Sequence, residues 1–230
     1  MKNTIRLLFL ASLCSFAFSS ATQAQTQAQA QSAAHSWYFK ADAGGVLTQD
    51  TDLKEFFGSV TAGSTVKFDP GIRLGVGAGY FFTDWFALEG EIAVMANNIK
   101  SITDAESVDA WYSQAPFLAN VRLQCPYDWF VIPYIGGGGG GSVATLDANH
   151  IDLNGTHFDG WMSDVVFAYQ AFGGLRFRIN ETMGLSVEYR YFVAEAPSFE
   201  ADVTVNTDTQ HARFGSTHSH VLSLMFDWRF

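Results

Sequence analysis

The stretch 68–81, FDPGIRLGVGAGYF, decides the fold. Its residues sort onto two faces, Phe68, Pro70, Ile72, Leu74, Val76, Ala78 and Tyr80 on one, Asp69, Gly71, Arg73, Gly75, Gly77 and Gly79 on the other. A period of two held for so long marks a β-strand whose faces meet different environments. No soluble sandwich needs one apolar face of that length, whereas a strand crossing a bilayer does.

Working outward, the same split recurs. Trp37, Phe39, Ala41 and Ala43 oppose Tyr38, Lys40, Asp42 and Gly44; Phe86, Leu88, Ile92 and Val94 oppose Glu89 and Glu91. Ala115, Phe117, Ala119, Val121 and Leu123 oppose Gln114, Asn120, Arg122 and Gln124. The run 130–143 is Gly-rich and its phase is not fixed by alternation. Val165, Phe167, Tyr169, Ala171, Leu175 and Phe177 oppose Gln170, Arg176 and Arg178; Leu185, Val187, Tyr189 and Tyr191 oppose Ser186, Glu188 and Arg190. In the last run His220, Leu222, Leu224, Phe226, Trp228 and Phe230 oppose Ser219, Ser223, Asp227 and Arg229. Eight strands result. Joins near Thr83, Tyr127 and Glu181 are short, and joins over 48–66, 97–113, 145–163 and 193–217 are long, in strict alternation. The expected fold is all-β: an eight-stranded antiparallel up-and-down transmembrane β-barrel with short periplasmic turns and long extracellular loops.

Charge supports that polarity. The strands hold Lys40, Arg73, Arg122, Arg176, Arg178, Arg190 and Arg229 against Asp42, Asp69, Glu89, Glu91, Glu188 and Asp227, all assigned to the face that is not apolar. Near-balanced ions suit a narrow lumen, because an unpaired charge away from water costs several kcal/mol. Arg73, Glu89, Glu91, Arg122, Arg176, Arg178, Glu188 and Arg190 are therefore the expected lumen ion-pair network, read as a plug, since eight strands leave room only for side chains. The chain has 13 Lys/Arg and 23 Asp/Glu, so the acidic excess falls in the long joins. A net charge of -10 argues against nucleic acid as a partner. Trp85, Tyr127, Trp129, Trp228 and Phe230 gather at the short-turn end and Trp37, Trp111, Tyr112, Trp161 and Tyr191 toward the other, as two interfacial girdles would.

The first residues read as an address. Lys2 and Arg6 precede the apolar run 7–18 and a small-residue segment, the layout of a secretory signal peptide. Cleavage is expected after Ala24, with Ala21, Ala28 and Ala30 as alternatives, giving a signal at 1–24, a flexible leader at 25–36 and the barrel at 37–230. Cys14 leaves with the signal, so Cys125 has no partner for a disulfide.

Four stretches of the chain hold residue types that could carry chemistry. Residues 136–141 match a Gly-rich phosphate pattern, yet no helix follows to offer its N-terminus. The glycines are better read as room for interior Arg and Tyr side chains. His218, Ser219 and His220 resemble the His and Ser of outer membrane lipid A deacylases, but adjacent strand residues face opposite sides and cannot share a proton. His211, His218 and His220 lack an acidic or Cys partner at metal-ligand spacing. Asp147, Asn149, Asp152, Asn154 and Asp159 around Gly155 offer oxygen atoms without EF-hand spacing. No enzyme, cofactor or metal reading survives these tests.

WYFKADAG, GIRLGVGAGYFF with WFALEGE, VIPYIGGGGG, FAYQAFGGLRFRI, GLSVEYRYF and the closing LSLMFDWRF together resemble the small eight-stranded outer membrane barrels of Gram-negative bacteria, the OmpA transmembrane-domain, opacity-type and OMP_b-brl group. The resemblance covers the mature chain. It implies outer membrane localisation, contact with outer membrane lipid and lipopolysaccharide, and a monomer inserted by the barrel assembly machinery. Phe226, Trp228 and Phe230 would be its recognition signal. The expected role is structural or surface-interacting, adhesin-like, with an unidentified extracellular ligand; a small porin-like channel and a lipid A-modifying enzyme are the alternatives.

Overall fold

The computed structural model describes residues 35–56, 63–103, 105–127, 129–153, 156–201 and 210–230. The signal and all but the end of the leader lie outside these, as do Asn154 and Gly155. Among the described residues there are twelve strands: β1 (Ser36–Thr48), β2 (Thr51–Phe56), β3 (Thr65–Phe68), β4 (Gly71–Phe81), β5 (Phe86–Ile102), β6 (Ala105–Gln124), β7 (Val131–Leu153), β8 (Thr156–Arg178), β9 (Met183–Ala194), β10 (Ser198–Ala201), β11 (Gln210–Phe214) and β12 (Thr217–Arg229).

Eight of them form a closed wall. Ladder partners lead from Tyr38 to Gly79, Glu89, Asn120, Gly138, Gln170, Phe192 and Ser219, and from Ser219 to Thr48. The circuit begins and ends on β1, ten residues apart. A shear of that size over eight strands tilts them by roughly 40°, so each residue climbs about 2.5 Å along the barrel axis. All wall pairs are antiparallel, and the joins at 82–85, 125–130 and 179–182 share one end with the start of β1 and the end of β12.

The expected alternation is present and its polarity is outward. Ile72, Leu74 and Val76 are about 60% exposed while Arg73 is fully buried. The undecided β7 has Ile132 and Tyr134 inside and Ile135 outside.

Two expectations need correction. First, 97–113 and 145–163 are not loops: β5 and β6 run on to Ile102 and from Ala105, and β7 and β8 to Leu153 and from Thr156. The join 48–66 carries β2 and part of β3, and 193–217 carries β10 and β11. Second, Phe68 faces inward against Tyr112, ring centroids 5.5 Å apart: it keeps the phase of β3, where Val66 is buried and Lys67 exposed, and the alternation changes sense at 69–70, between β3 and β4, so that Ile72 faces out.

The strands that run on change character as they rise. On the outer face of β5, Ala96 gives way to Asn98 and Lys100; on β6 Ala115 gives way to Ser113, on β7 Val143 to Thr145, on β8 Val165 to Ser163. From the lower aromatic rim these transitions all lie about 25 Å up, the height of an outer membrane barrel's apolar band. Above them the inner face becomes apolar. Ile99, Ile102, Ala110, Tyr112, Leu146, Ala148 and Met162 pack with Leu53, Val66, Phe199 and Phe214 from the short strands into one hydrophobic core. Tyr112, expected in the outer girdle, is thus buried inside this cap, Trp111 and Trp161 stand above the band rather than at its edge, and Trp37, expected with them, lies at the short-turn end beside Phe230.

Candidate functional site

The lumen holds the charged residues the alternation placed there. Glu91 is the hub: its carboxylate accepts from Lys40 at 2.8 Å, from Arg73 at 2.7 Å and from Arg190. Lys40 also reaches Glu89 at 2.5 Å, Arg73 reaches Asp42 at 2.8 Å and Arg190 reaches Glu188 at 2.6 Å. Arg122 closes on Glu89 at 3.5 Å and lies over the Tyr134 ring at 3.8 Å. Four cations thus interlock with four carboxylates, and neutral donors complete the set. Tyr38 donates to Glu89, Tyr134 to Glu188 at 3.0 Å and Gln170 to Asn120 at 2.8 Å. Ions buried so completely are tolerable because each faces a partner of opposite sign; the match is loosest at Arg122, whose Nε and Nη2 make no hydrogen bond and whose guanidinium rests on the Tyr134 ring instead.

Arg176 stands apart, making a forked bond to Asp227 of 2.7–2.9 Å near the short-turn end, beneath the network. Arg178 is half-buried at that rim. Lys40, Asp42 and Asp227, recognised as lumen-facing charges but not as network members, prove to belong with the ion pairs; their place on the non-apolar face of β1 and β12 is the signal.

Above the ions the lumen turns apolar, then polar, then apolar again. Val46, Met95, Leu118, Val166, Phe192 and Val221 form one layer. Over it Gln114 donates to Thr217 at 2.8 Å and to the Tyr112 hydroxyl at 3.1 Å, and Thr48 bonds Ser219 at 3.0 Å. The hydrophobic cap follows. The sequence reading missed these layers because Val, Met and Leu on a nominally polar face read as noise in the alternation.

Glycines set the packing beneath the aromatics. At Gly79 a Cβ would lie 2.6 Å from the Tyr38 ring. In the 136–141 run the space goes to Phe172 and Asn120 and to the neighbouring backbone, not to Arg or Tyr.

Other candidate residues separate as strand geometry requires. Ser219 is buried in the lumen while His218 and His220 sit on the outer face, hydrogen-bonded through Nδ1 to the hydroxyls of Tyr191 at 2.8 Å and Tyr189 at 2.7 Å. Asp147 and Asn149 are exposed on the outer face of β7; the side chains of Asp152, Asp159 and His211 lie outside the described set. A groove of about 620 Å³ lies on the wall over Gly90, flanked by Phe39, Val76, Ile92 and Phe117, and so opens toward lipid. Phe226, Trp228 and Phe230 all face outward; Phe230 exchanges backbone hydrogen bonds with Trp37 at 3.0 and 3.2 Å across the closing seam and stacks on Phe39.

Solved structures resemble this fold at low sequence identity. OprG from Pseudomonas aeruginosa superposes with a TM-score of 0.56 at 15% identity, covering 86% of this chain and 96% of its own. Neisserial surface protein A gives 0.51 at 18% identity, covering 84% and 97%, and the Escherichia coli outer membrane protease OmpT gives 0.53 at 7%, covering 90% and 99%. Such likeness speaks for the fold alone. Among curated proteins none matches. The outer membrane protein beta-barrel domain matches residues 12–230, so the chain belongs to that family and is a protein of the outer membrane.

Proposed function

We propose that this barrel works at its surface, as a structural and surface-interacting, adhesin-like protein, and neither as a pore nor as an enzyme. The observation that carries the reading is the filled lumen. A path along the axis would have to part the Glu91-centred ion network, the layer of Met95, Phe192 and Val221, and the cap core around Tyr112 and Phe214. The cap also gives the molecule a rigid platform outside the membrane, suited to contact rather than passage. The separation of Ser219 from His220 across the wall supports the non-enzymatic reading, because no proton can pass between them. The aromatic end at Phe226, Trp228 and Phe230 is proposed as the signal for assembly.

The test has three arms. Purified barrel in planar bilayers should give no reproducible unit conductance; a unit step altered by Arg190→Ala would establish a channel instead. Lipid A from cells with and without the protein should have the same acyl pattern by mass spectrometry, and a changed pattern would establish an enzyme. Cells expressing the protein should gain adhesion that is lost when the β5–β6 and β7–β8 hairpins are exchanged for short turns, with the heat-shifted gel migration of a folded barrel retained.

A further inference from the structure

Trp111 and Trp161 occupy an anomalous position. Among the described residues the other exposed large apolar side chains fall within the lipid-facing band or at the short-turn rim, but Trp111, 45% exposed, and Trp161, 72% exposed, stand clear of it. By ladder height they lie about 7–13 Å above the upper edge of the band, beyond the level of an interfacial girdle. Trp111 pairs with Asp147 and Asp147 pairs with Trp161. The two indoles thus share one row of the sheet with a carboxylate between them, two strands or roughly 9.6 Å apart.

Their surroundings are polar. The row below is Ser113, Thr145 and Ser163; above lie Asp109 and Asn149, which bond each other at 3.4 Å. Behind the sheet Ala110, Tyr112, Leu146, Ala148 and Met162 are packed into the cap core, so the rings stand on a fixed support. From this we infer that the outer face of β6–β8 binds an extended, uncharged glycan, whose pyranose rings stack on Trp111 and Trp161 while Asp147 accepts from sugar hydroxyls. Isolated aromatic plates amid hydroxyl, amide and carboxylate groups match a sugar's alternation of apolar ring face and polar rim. A protein partner would call for a contiguous apolar core, and among the described residues none joins the two rings. Asp109 and Asp147 outnumber Lys100, the cation on the adjoining outer face of β5, which disfavours sulfated or phosphorylated chains and directs the choice to neutral ones.

This deepens the surface-interaction reading and rests on it. The test uses the whole barrel in nanodiscs, titrated with chitohexaose and cellohexaose against heparin, followed by tryptophan fluorescence and calorimetry. At least one neutral hexasaccharide should bind saturably with a blue shift. Trp111→Ala and Trp161→Ala should each weaken it about tenfold, the scale of one lost aromatic stack. Trp111→Tyr and Trp161→Tyr should retain most of it, Asp147→Asn should weaken it several-fold, and Trp85→Ala at the opposite rim should leave it unchanged. Binding indifferent to Trp111 and Trp161, preference for heparin, or no binding of either hexasaccharide overturns the inference. Adhesion of expressing cells that persists in excess hexasaccharide sinks the glycan and leaves the surface-interaction reading standing; bilayer conductance sinks the latter.

Discussion

The same four strands are built inside out at two heights. At bilayer level β5 exposes Ile92 at 63% and buries Glu91 at 3%; a few residues on it exposes Asn98 and buries Ile99. The β6–β7 and β7–β8 ladders continue through the change with only local register shifts, while β5 runs on by exchanging β6 for β3 as its partner above Asn98. What differs is the solvent. Where acyl chains bathe the outside, apolar side chains face out and ions must find partners within; where water bathes the outside, the hydrophobic effect restores the ordinary arrangement and an apolar core forms inside. A strand carries no intrinsic core face, and the level at which polarity inverts marks the membrane surface.

The largest test of this contrast is Glu91→Ala. It strips Lys40, Arg73 and Arg190 of their shared carboxylate and should cost about 3–5 kcal/mol, as breaking buried ion pairs does. Urea unfolding in lipid vesicles should show the loss for the whole barrel; a shift limited to protease sensitivity of the upper hairpins would mean that the cap, not the lumen, holds the wall. Next is a pair on one strand face. Ile92→Arg, near mid-bilayer, should destabilise by about 2–4 kcal/mol, while Asn98→Arg should stay within about 0.5 kcal/mol. Equal effects would place the membrane surface elsewhere.

Smaller effects separate the inner and outer faces. Gly79→Ala drives a methyl into the Tyr38 ring and should cost about 1–3 kcal/mol, whereas a Cβ at Gly90 meets nothing within 4 Å and Gly90→Ala should be neutral or better. Thermal migration shifts on unboiled gels would rank the two. Smallest is Ile99→Val in the cap core, about 0.5–1.5 kcal/mol. Hydrogen exchange should quicken in the cap strands while the urea midpoint of the membrane-level wall stays in place; a moved midpoint would show that the two regions unfold as one unit.

The membrane wall was legible because its signal is local. Leu74 beside Arg73, or Leu224 beside Ser223, states the face assignment within two residues, and the count of eight strands and three short turns follows. The cap was not legible, since its alternation has the opposite sense. Asn98, Ile99 and Lys100 read as a loop when apolar is assumed to mean outside, and the change of phase at 69–70 hides Phe68 as a further inward residue. The lumen was legible in sign but not in connection. Nothing in the spacing says that Glu91 rather than Glu89 gathers three cations, because that depends on strands distant in sequence meeting at one height.

By itself the sequence determined the period of two, the sorting of charge from grease, the alternating join lengths and hence a barrel of the outer membrane. The tertiary structure alone decided which ions meet, how apolar layers close the lumen, and where the wall leaves the bilayer with Trp111 and Trp161 on its outer face. Alternation is written between neighbours along the chain, whereas height in the barrel is set by the ten-residue shear accumulated around the whole ring, a quantity no single strand contains.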